Sequence, residues 1–500
     1  DELDAVQRRL REVAGVTVLI YEQTCAAEKR RRRKKGELAD PARRLFINEA
    51  VCEGCGDCTV QSNCVAVLPH ETPLGRKRKI DQSSCNKDYA CAKGFCPSFV
   101  SVTGGTLRKK AGALGGSGKA DFLRRVAALP EPAPHGWTGP YDLLVTGVGG
   151  TGVVTVGAVI AMAAHLEGKS ASVRDFMGFA QKAGSVLSFV RLADTPERLN
   201  QVRIDTQQAD AVLACDLVVG ASPEALQTVR HGRTRVLANV HETPVAESLR
   251  NPDASLKTDL LLEKLKFVAG SERVETFDAQ ALAQDFLGDA IVSNILAMGW
   301  AWQRGLIPVS LAALERAIEL NGVAIESNQM AFSLGRLAAA DPAGCHELLN
   351  GTSVSSLALP GLHVGAEAGG AQTLEAFVAR GVAHLTGYQN AAWAGRFQIL
   401  VGRVQAREEA LGGDGRLTLA VARSALKLMS YKDEYEVARL YTDGAFRNAL
   451  AQQFEGDVRL AFYMAPPLVS RPRDGQAPKK IRLGGWMLPA MQLLAHAKVL

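Results

Sequence analysis

The feature that most constrains this chain is a concentration of cysteine near its N-terminus. Seven of the ten cysteines fall between Cys52 and Cys96. Three of the seven, Cys52, Cys55 and Cys58, form a C-x2-C-x2-C triplet. This spacing wraps a short loop around one corner of a cubane, so that each thiolate reaches a different iron. The triplet therefore predicts a [4Fe-4S] cluster.

The fourth ligand is predicted from the ferredoxin pattern, in which a Cys-Pro ligand serves the cluster of the other loop. Here the Cys-Pro pair is Cys96-Pro97, which selects Cys96. Cys64, Cys85 and Cys91 are then one ligand short of a second four-cysteine cluster. They could hold a three-iron cluster, share a non-cysteine ligand, act as alternative ligands or pack in the core. A zinc site is the competing interpretation, although zinc motifs usually use two separated C-x2-C pairs.

A second motif lies further along the chain, where a predicted strand leads through a glycine-rich loop into a helix. Its glycines are Gly147, Gly149, Gly150 and Gly152. In this G-x-G-x-x-G context, backbone N–H groups at the helix start favour an anionic ligand. An acid that marks NAD binding is expected about 20 residues on, and Asp175 stands too far along. A turn that binds no ligand is the alternative.

The pattern after Tyr141 predicts an α/β fold. Short β-branched runs alternate with helical stretches, which is typical of βαβ units and a mostly parallel sheet. The predicted strands are Leu143–Thr146, Ser172–Asp175, Val186–Leu192, Ala211–Cys215 and Val236–Asn239. Cys215 is expected to be buried. Helical spacing returns beyond Ala371, a further strand is predicted at Val16–Tyr21, and the sequence shows no internal repeat.

Composition and charge exclude other classes of protein. Hydrophobic residues at 47% and charged residues at 22% are typical of a globular chain. The net charge of +6 comes from two basic runs, Lys29–Lys35 and Arg76–Lys79. Neither run is interleaved with aromatic residues, so no nucleic-acid partner is expected. The first run predicts a surface loop or docking site. The second predicts a charge partner for the cluster, a contact for an acidic carrier protein, or a solvated loop.

The start of the chain lacks the pattern of a signal peptide, and no membrane span is predicted. We therefore expect a cytoplasmic protein without a membrane partner. No Ser/His/Asp or Cys/His triad can be assembled from the spacing, so no catalytic residue is assigned.

Taken together, the motifs resemble those of the large, fused indolepyruvate ferredoxin oxidoreductases of bacteria, in the 2-oxoacid:ferredoxin oxidoreductase family. The cysteine segment is the most specific part, and the resemblance covers essentially the whole chain. The matching stretches are Tyr21–Cys25, Cys52–Cys58, Gln61–Cys64, Asp81–Lys87, Gly94–Ser98, Gly147–Gly152, Gly178–Val186, Glu326–Phe332 and Tyr431–Tyr441. Lys182 and Ala183 stand where the family pattern G-x-x-Q-R-G-G-S-V has Arg and Gly.

The resemblance implies a division of the chain into α/β and other parts. In order, these are residues 1–47, the tail of a thiamine diphosphate-binding domain; 48–105, a ferredoxin-like iron–sulfur segment; 106–139, a linker; 140–340, a gamma-type, mostly parallel α/β oxidoreductase domain; 341–371, a linker; and 372–500, an incomplete, largely helical C-terminal domain. The chain is therefore expected to be a fragment of a larger enzyme.

The resemblance also implies a function. The family oxidatively decarboxylates indolepyruvate or another aryl 2-oxoacid, passes electrons through iron–sulfur to ferredoxin, and transfers the acyl group to coenzyme A. Thiamine diphosphate and Mg belong to the full enzyme, at a site outside this chain. The expected partners are ferredoxin, coenzyme A, the oxoacid, the remainder of the same enzyme and further copies in a homo-oligomer.

Site residues follow from the same resemblance. The cluster ligands are Cys52, Cys55, Cys58 and Cys96. The residues expected to face a nucleotide, coenzyme A or the thiamine site are Gly147, Gly149, Gly150, Gly152, Gln181 and Gly184. Two other readings compete: a nucleotide-binding α/β protein with a structural zinc module, and a nucleic-acid-binding protein that uses Lys29–Lys35.

Overall fold

A computed structural model of the chain describes residues 2–72, 74–108, 117–133, 139–177, 184–242, 251, 257–350, 373–465, 470 and 480–497. Its contacts divide the chain into two compact units. The first, here called the cysteine unit, comprises Asp1–His70, Arg76–Thr106 and Ser430–Leu500. The second, here called the α/β unit, comprises Glu71–Gly75 and Leu107–Met429. The domain boundaries given above remain predictions.

The strands and helices are numbered in chain order. The strands are β1 (Arg43–Ile47), β2 (Val67–Thr72), β3 (Gly75–Ile80), β4 (Phe99–Thr103), β5 (Thr106–Leu107), β6 (Tyr141–Val148), β7 (Ser170–Met177), β8 (Ser185–Ala193), β9 (Ala211–Ala214), β10 (Arg235–Asn239), β11 (Val274–Phe277), β12 (Phe454–Glu455), β13 (Arg459–Met464) and β14 (Ile481–Gly484).

The α-helices are α1 (Glu2–Arg11), α2 (Ala26–Lys34), α3 (Asp57–Ser62), α4 (Ser117–Ala127), α5 (Val153–Leu166), α6 (Leu217–Gly220), α7 (Pro223–Leu226), α8 (Thr258–Ala269), α9 (Ala279–Leu287), α10 (Ser293–Gln303), α11 (Leu311–Asn321), α12 (Ile325–Ala340), α13 (Pro342–Asn350), α14 (Leu374–Tyr388), α15 (Ala391–Ala410), α16 (Arg416–Met429), α17 (Glu434–Thr442), α18 (Ala445–Gln453) and α19 (Met487–His496). Short 3-10 helices span Ala90–Lys93, Pro196–Arg198, Ser271–Arg273 and Ala290–Val292. Within the described ranges, no helix combines the length and the apolar character that a membrane span requires.

A four-stranded antiparallel sheet organises the cysteine unit, and its strands come from distant parts of the chain. Their order is β1-β4-β13-β14. Val100 on β4 lies opposite Phe46 on β1 and opposite Phe462 on β13. Because β4 pairs on both sides, β13 and β14 complete the sheet that the cysteine segment begins.

The cysteine unit contains two hydrophobic clusters of different composition. One combines aliphatic side chains with the aromatic rings of Tyr441, Phe446 and Phe462. The other includes Cys52, Cys58 and Cys91 among its buried members, with Cys64 and Cys85 packed against it. Thiols therefore occupy positions that aliphatic side chains fill in an ordinary core.

A six-stranded sheet in the order β11-β10-β9-β6-β8-β7 organises the α/β unit. β11, β10, β9 and β6 pair in parallel, and β8 lies antiparallel between β6 and β7. The prediction of five strands in a mostly parallel sheet is confirmed. Ligands of such sheets bind outside the carboxyl ends of the parallel strands, which is the edge where β6 leads into the glycine loop.

Close packing fixes the helices of the α/β unit. A Cβ on Gly299 of α10 would lie 2.0 Å from the carbonyl oxygen of Phe332 on α12. A Cβ on Gly335 of α12 would lie 2.0 Å from the carbonyl oxygen of Leu296. The two backbones therefore approach as closely as glycine allows. Ser310 caps the N-terminus of α11, since its hydroxyl accepts the N–H of Ala313.

The predicted helical spacing beyond Ala371 is confirmed by α14, α15 and α16. Phe377, Phe397 and Leu426 are buried in a separate small core that these helices share. Polar side chains cap the N-termini of two of these helices. The hydroxyl of Thr373 accepts the N–H of Ala376 at the start of α14, and the side chain of Asn390 accepts the N–H of Trp393 at the start of α15.

Two predictions near the N-terminus are wrong. Val16–Tyr21 forms no strand, and Val16 and Ile20 are 97% and 88% exposed. The high β propensity of these residues does not produce a strand, because a β-strand is stable only when it pairs with a neighbouring strand. The surface loop predicted for Lys29–Lys35 is instead helix α2. Arg30 donates to the carbonyl oxygen of Ser84 at 2.7 Å, and Arg33 donates to that of Asn86 at 2.8 Å.

Candidate functional site

The loop from Cys52 to Cys58, here called the first loop, is shaped by two left-handed glycines. Gly54 has φ +69° and Gly56 has φ +79°. A Cβ on Gly54 would lie 2.2 Å from the carbonyl oxygen of Arg76, so a larger residue would force the backbone apart. Helix α3 begins directly after Gly56 and carries Cys58.

The four predicted cluster ligands lie close enough for their charges to interact. Burial raises the pKa of Cys58 to about 12, and the charges of Cys52, Cys55 and Cys96 contribute to this rise. Burial also raises the pKa of Cys52 and of Cys55, and Cys96 adds to both shifts. Such thiols are poor nucleophiles. They suit a metal centre, which deprotonates the thiols that it binds.

Among the described residues, no group of three or more Cys, His, Asp or Glu has the geometry of a metal-ion site. A single tetrahedral zinc ion requires sulfurs about 2.3 Å from one point. A cubane spaces its thiolates more widely, since each binds a different iron. The assignment of these thiols to an iron–sulfur cluster therefore rests on which cysteines lie near one another, and not on the distances between their sulfur atoms.

A buried guanidinium lies beside these thiols. Arg78 is 1% exposed, and its Nε and Nη2 have no hydrogen-bond partner in the described part of the chain. Burial raises the pKa of Cys58, and the charge of Arg78 opposes that rise. An unpaired buried charge costs several kcal/mol. A cluster held by four thiolates would supply the missing negative charge, so the residues present fit an iron–sulfur cluster.

Backbone donors also converge on the thiols. The N–H of Gly54 lies 3.3 Å from Sγ of Cys52. Burial raises the pKa of Cys52, and the backbone N–H groups of Gly54 and Arg78 oppose the rise. Hydrogen bonds to sulfur are one of the means by which a protein sets a cluster's potential. Of the alternatives for Arg76–Lys79, the structure excludes a solvated loop, because Lys77 and Arg78 are buried on strand β3.

Residues near the C-terminus contact the same segment, and sequence reasoning missed them. Lys432 Nζ lies 3.3 Å from the carbonyl oxygen of Cys52. Lys480 Nζ donates to the carbonyl oxygen of Cys96 at 2.8 Å, and the hydroxyl of Tyr441 donates to that of Pro97 at 2.8 Å. No local pattern marks these contacts, because they join residues more than about 300 positions apart.

The remaining cysteines of the segment form a second group. Burial raises the pKa of Cys91, and the charges of Cys85 and Cys64 raise it further. Burial also raises the pKa of Cys85; the backbone N–H of Lys87 lowers it, and Cys64 raises it again. Cys64, Cys85 and Cys91 thus interact with one another, and the charge of Cys58 also reaches Cys91, so the two groups of cysteines are neighbours in one core.

The glycine loop has the predicted context of strand, loop and helix. β6 ends at Val148, and α5 begins after Gly152, which has φ +97°. A Cβ on Gly147 would lie 2.6 Å from Cγ2 of Val153 and 3.2 Å from Cβ of Cys215. Packing alone therefore accounts for Gly147. Cys215 is 4% exposed, which confirms its predicted burial.

Polar contacts hold the rest of this loop. Asn294 Nδ2 donates to the carbonyl oxygen of Thr151 at 2.9 Å and to its hydroxyl at 3.0 Å. Gly149 N–H donates to the carbonyl oxygen of Gly184 at 2.7 Å. The structure thus brings Gly184 to the loop, whereas Gln181 lies outside the described residues. Sequence reasoning missed Asn294, which no motif marks.

Asp175 is not placed to mark NAD binding. It lies on β7, which β8 separates from β6. In dinucleotide-binding folds, the acid that contacts the ribose belongs to the βαβ unit that begins with the glycine loop. An antiparallel strand between the two elements breaks that unit.

Comparisons with known proteins identify the family. Residues 142–338 match a family model described as Pyruvate ferredoxin/flavodoxin oxidoreductase. Indolepyruvate oxidoreductase subunit IorB of Pyrococcus horikoshii is 28% identical, over 40% of this chain and 96% of its own. The Pyruvate/ketoisovalerate oxidoreductases common subunit gamma of Thermococcus kodakarensis is 31% identical, over 35% of this chain and 82% of its own. The chain belongs to the 2-oxoacid:ferredoxin oxidoreductase family.

For this oxidoreductase family member, the match runs from β6 to α12 and confirms the family predicted from the sequence. Residues 374–500 match a Family of unknown function (DUF6537). Pyruvate oxidoreductase subunit PORC of Thermotoga maritima, a solved structure, aligns with a TM-score of 0.30 at 19% identity. That alignment covers 40% of this chain and 96% of the other, and its score is too low to support an argument.

Proposed function

We propose that this chain is the electron-transfer part of an enzyme that oxidatively decarboxylates indolepyruvate or a related aryl 2-oxoacid, with ferredoxin as acceptor and acyl-CoA as product. Cys52, Cys55, Cys58 and Cys96 would hold a [4Fe-4S] cluster, which when bound supplies one-electron transfer. The gathering of these four thiols beside the buried, unpaired Arg78 carries the proposal. The name of the IorB relative supports the choice of substrate.

The chain's own residues would set the properties of this centre. Arg78 places a positive charge beside Cys58, which favours the more negative, reduced state of a cluster. The backbone N–H of Gly54 withdraws charge from Cys52 in the same direction. Cys52 and Cys58 are buried, whereas Cys55 is exposed. Cys55 therefore lies on the side from which a carrier protein could approach.

In the α/β unit, we propose that Gly149, Gly150, Gly152 and Gly184 line a site for an anionic group, with Gln181 as a further contact. Gly152 begins α5, whose N-terminal N–H groups favour negative charge. A Cβ on Gly152 would meet no atom within 4 Å, which leaves room for a ligand. Nucleotide, coenzyme A and the diphosphate of thiamine diphosphate all carry such a group. Gly147 is needed for packing instead.

The remaining partners follow from the family. The relatives that match the α/β unit are named as subunits, which supports association of this chain with the rest of an oxidoreductase. Thiamine diphosphate and Mg would belong to that remainder, and a homo-oligomer is proposed for the assembly. Ferredoxin and coenzyme A are proposed as the electron and acyl acceptors.

Freeze-quench EPR tests this function on the chain assembled with the remainder of its enzyme under anaerobic conditions. Indolepyruvate and coenzyme A should generate the signal of a reduced cluster, and added ferredoxin should remove it. Cys55→Ser should remove the part of that signal that comes from the cluster at the first loop and prevent the reduction of ferredoxin, whereas Cys25→Ser, a change at an exposed cysteine outside the cluster, should preserve both. Full ferredoxin reduction by the Cys55→Ser enzyme would contradict the proposal.

A further inference from the structure

The loop from Cys85 to Cys91, here called the second loop, repeats the backbone of the first loop. Cys85 and Cys91 have the same spacing as Cys52 and Cys58. The first loop is left-handed at its third and fifth positions, Gly54 and Gly56 (φ +69° and +79°), and the second is left-handed at the same positions. There the residues are Lys87 and Tyr89, with φ +55° and +64°.

Left-handed backbone is uncommon for bulky residues such as Lys87 and Tyr89. Their occurrence at the two positions where the first loop uses glycine shows that the second loop is held in one specific shape. The sequence shows no internal repeat, whereas the two loops share a backbone shape. The repeat lies in the backbone, and few of the side chains share it.

The hydrogen bonds repeat as well. Gly54 N–H lies 3.3 Å from Sγ of Cys52, and Lys87 N–H lies 3.4 Å from Sγ of Cys85. A short helix starts directly after each loop's second left-handed residue: α3 after Gly56, and Ala90–Lys93 after Tyr89. The two loops thus present their outer cysteines in the same way.

The fourth position of each loop is where the sequences differ. Cys55 stands there in the first loop and accepts the backbone N–H of Asp57. Asp88 stands there in the second loop, and its Oδ1 accepts the backbone N–H of Ala90 at 3.1 Å. Both side chains accept from the residue two positions on, and both residues are exposed. A carboxylate therefore occupies the place of the middle thiol.

The cysteines that follow the two loops are exchanged between them. Cys96 follows the second loop, yet its charge acts on Cys52, Cys55 and Cys58. Cys64 follows the first loop, yet its charge acts on Cys85 and Cys91. This is the crossed arrangement that two-cluster ferredoxins use.

We propose that Cys64, Cys85, Cys91 and the carboxylate of Asp88 hold a second [4Fe-4S] cluster. The inference rests on the proposed iron–sulfur function of the first loop, and it gives a role to the three cysteines that the sequence left one ligand short. The pattern Cys-x2-Asp-x2-Cys takes the place of Cys-x2-Cys-x2-Cys.

The surroundings of the second loop suit a negatively charged cluster. Arg33 donates through Nη1 to the carbonyl oxygen of Asn86 at 2.8 Å. Its Nε is buried and has no hydrogen-bond partner in the described part of the chain. Arg33 thus stands beside the second loop as Arg78 stands beside the first. Burial raises the pKa of Cys91, and Asp88 is among the charges that raise it further, so the carboxylate lies near the thiols.

A carboxylate is a harder ligand than a thiolate and suits iron less well. The iron at Asp88 should therefore leave first. A [4Fe-4S]2+ cluster that loses Fe2+ and one electron becomes [3Fe-4S]+, and ferricyanide can accept that electron. The first cluster, held by four thiolates, should resist the same treatment.

The test is iron and acid-labile sulfide analysis with EPR on the full chain, purified anaerobically. The wild type should hold about eight iron and eight sulfide, since each cubane has four of both. Asp88→Ala should hold about one iron less as isolated, and ferricyanide should then accept one electron from its [3Fe-4S]0 cluster and give the EPR signal of [3Fe-4S]+. Asp88→Cys should keep the full iron content and gain resistance to ferricyanide, which keeps the test informative if Asp88→Ala misfolds.

Asp81→Ala is the matched control, because Asp81 Oδ1 accepts the N–H of Ser83 at 2.9 Å in the same kind of turn. It should match the wild type. About four iron per wild-type chain would overturn the second cluster and leave the first. An Asp88→Ala spectrum identical to that of Asp81→Ala would overturn Asp88 as a ligand. A chain without iron or sulfide would overturn the proposed function itself, and the second cluster with it.

Discussion

The cysteine unit and the α/β unit differ in what completes their cores. In the α/β unit, the central strand β6 buries Leu143, Leu144 and Val145 completely. Helices on both sides supply the aliphatic and aromatic partners of these residues. In the cysteine unit, thiols fill part of the core, and Nε and Nη2 of the buried Arg78 have no hydrogen-bond partner in the described part of the chain. In the α/β unit, by contrast, the buried charges of Asp142 and Arg191 pair with each other at 3.1 Å, and buried hydroxyls without a partner among the described residues, such as those of Thr146 and Ser188, carry no charge.

This difference shows where function can be inferred from packing. A core whose buried charges pair with each other, such as Asp142 and Arg191 beside β6, identifies a fold and little more. A core in which the guanidinium of Arg78 lacks hydrogen-bond partners indicates both the charge and the position of the group that binds there. The strongest functional argument therefore comes from the cysteine unit, although the match to the oxidoreductase family model lies in the α/β unit.

Replacing Arg78 tests the missing charge and should have the larger effect. Without a cluster, Arg78→Met removes an unpaired buried cation, so the apo protein should be more stable by about 1–4 kcal/mol. With the cluster bound, the same change removes a positive charge that favours reduction, so the reduction potential should fall. Thermal unfolding of the apo protein and an EPR-monitored redox titration measure the two effects.

Lys79→Met is the matched control, because Lys79 lies on the same strand and is exposed. It should change neither the apo stability nor the potential. An apo Arg78→Met protein less stable than the wild type, with an unchanged potential, would show that Arg78 has no part in charge compensation.

Gly147→Ala adds a methyl group to the core of the α/β unit, and its effect on stability should be smaller than that of Arg78→Met. The new Cβ would lie 2.6 Å from Val153, and such overpacking costs about 1–3 kcal/mol. Gly147→Ala should lower the free energy of unfolding of the α/β unit, measured by urea denaturation, by that amount and leave iron content unchanged. Gly139→Ala, where a Cβ meets no atom within 4 Å, should be neutral. A loss of iron in Gly147→Ala would break the distinction between the two units.

The sequence predicts most of what local pattern determines. The strands β6 to β10 follow from β-branched runs, and the grouping of Cys52, Cys55, Cys58 and Cys96 follows from the ferredoxin spacing. Cap residues such as Ser310 are predictable for the same reason, because their hydrogen bonds join residues that are close in sequence.

What the sequence does not predict depends on partners distant in the chain. The pairing of β13 with β4 joins segments that carry no shared signal. Val16–Tyr21 has strand composition and no partner strand, and the basic run at Lys29–Lys35 is a helix whose arginines reach Ser84 and Asn86. The role of Asp88 is hidden for a different reason, since the repeat is one of backbone shape and hydrogen bonding.

The central claim is that the cysteine unit is built around iron and sulfide. Its most direct test is the iron, zinc and acid-labile sulfide content of the full chain purified without oxygen. The account predicts iron and sulfide in equal amounts, at least about four of each per chain, with zinc absent. Zinc without sulfide would contradict it and would leave a nucleotide-binding α/β protein with a structural zinc module as the better description.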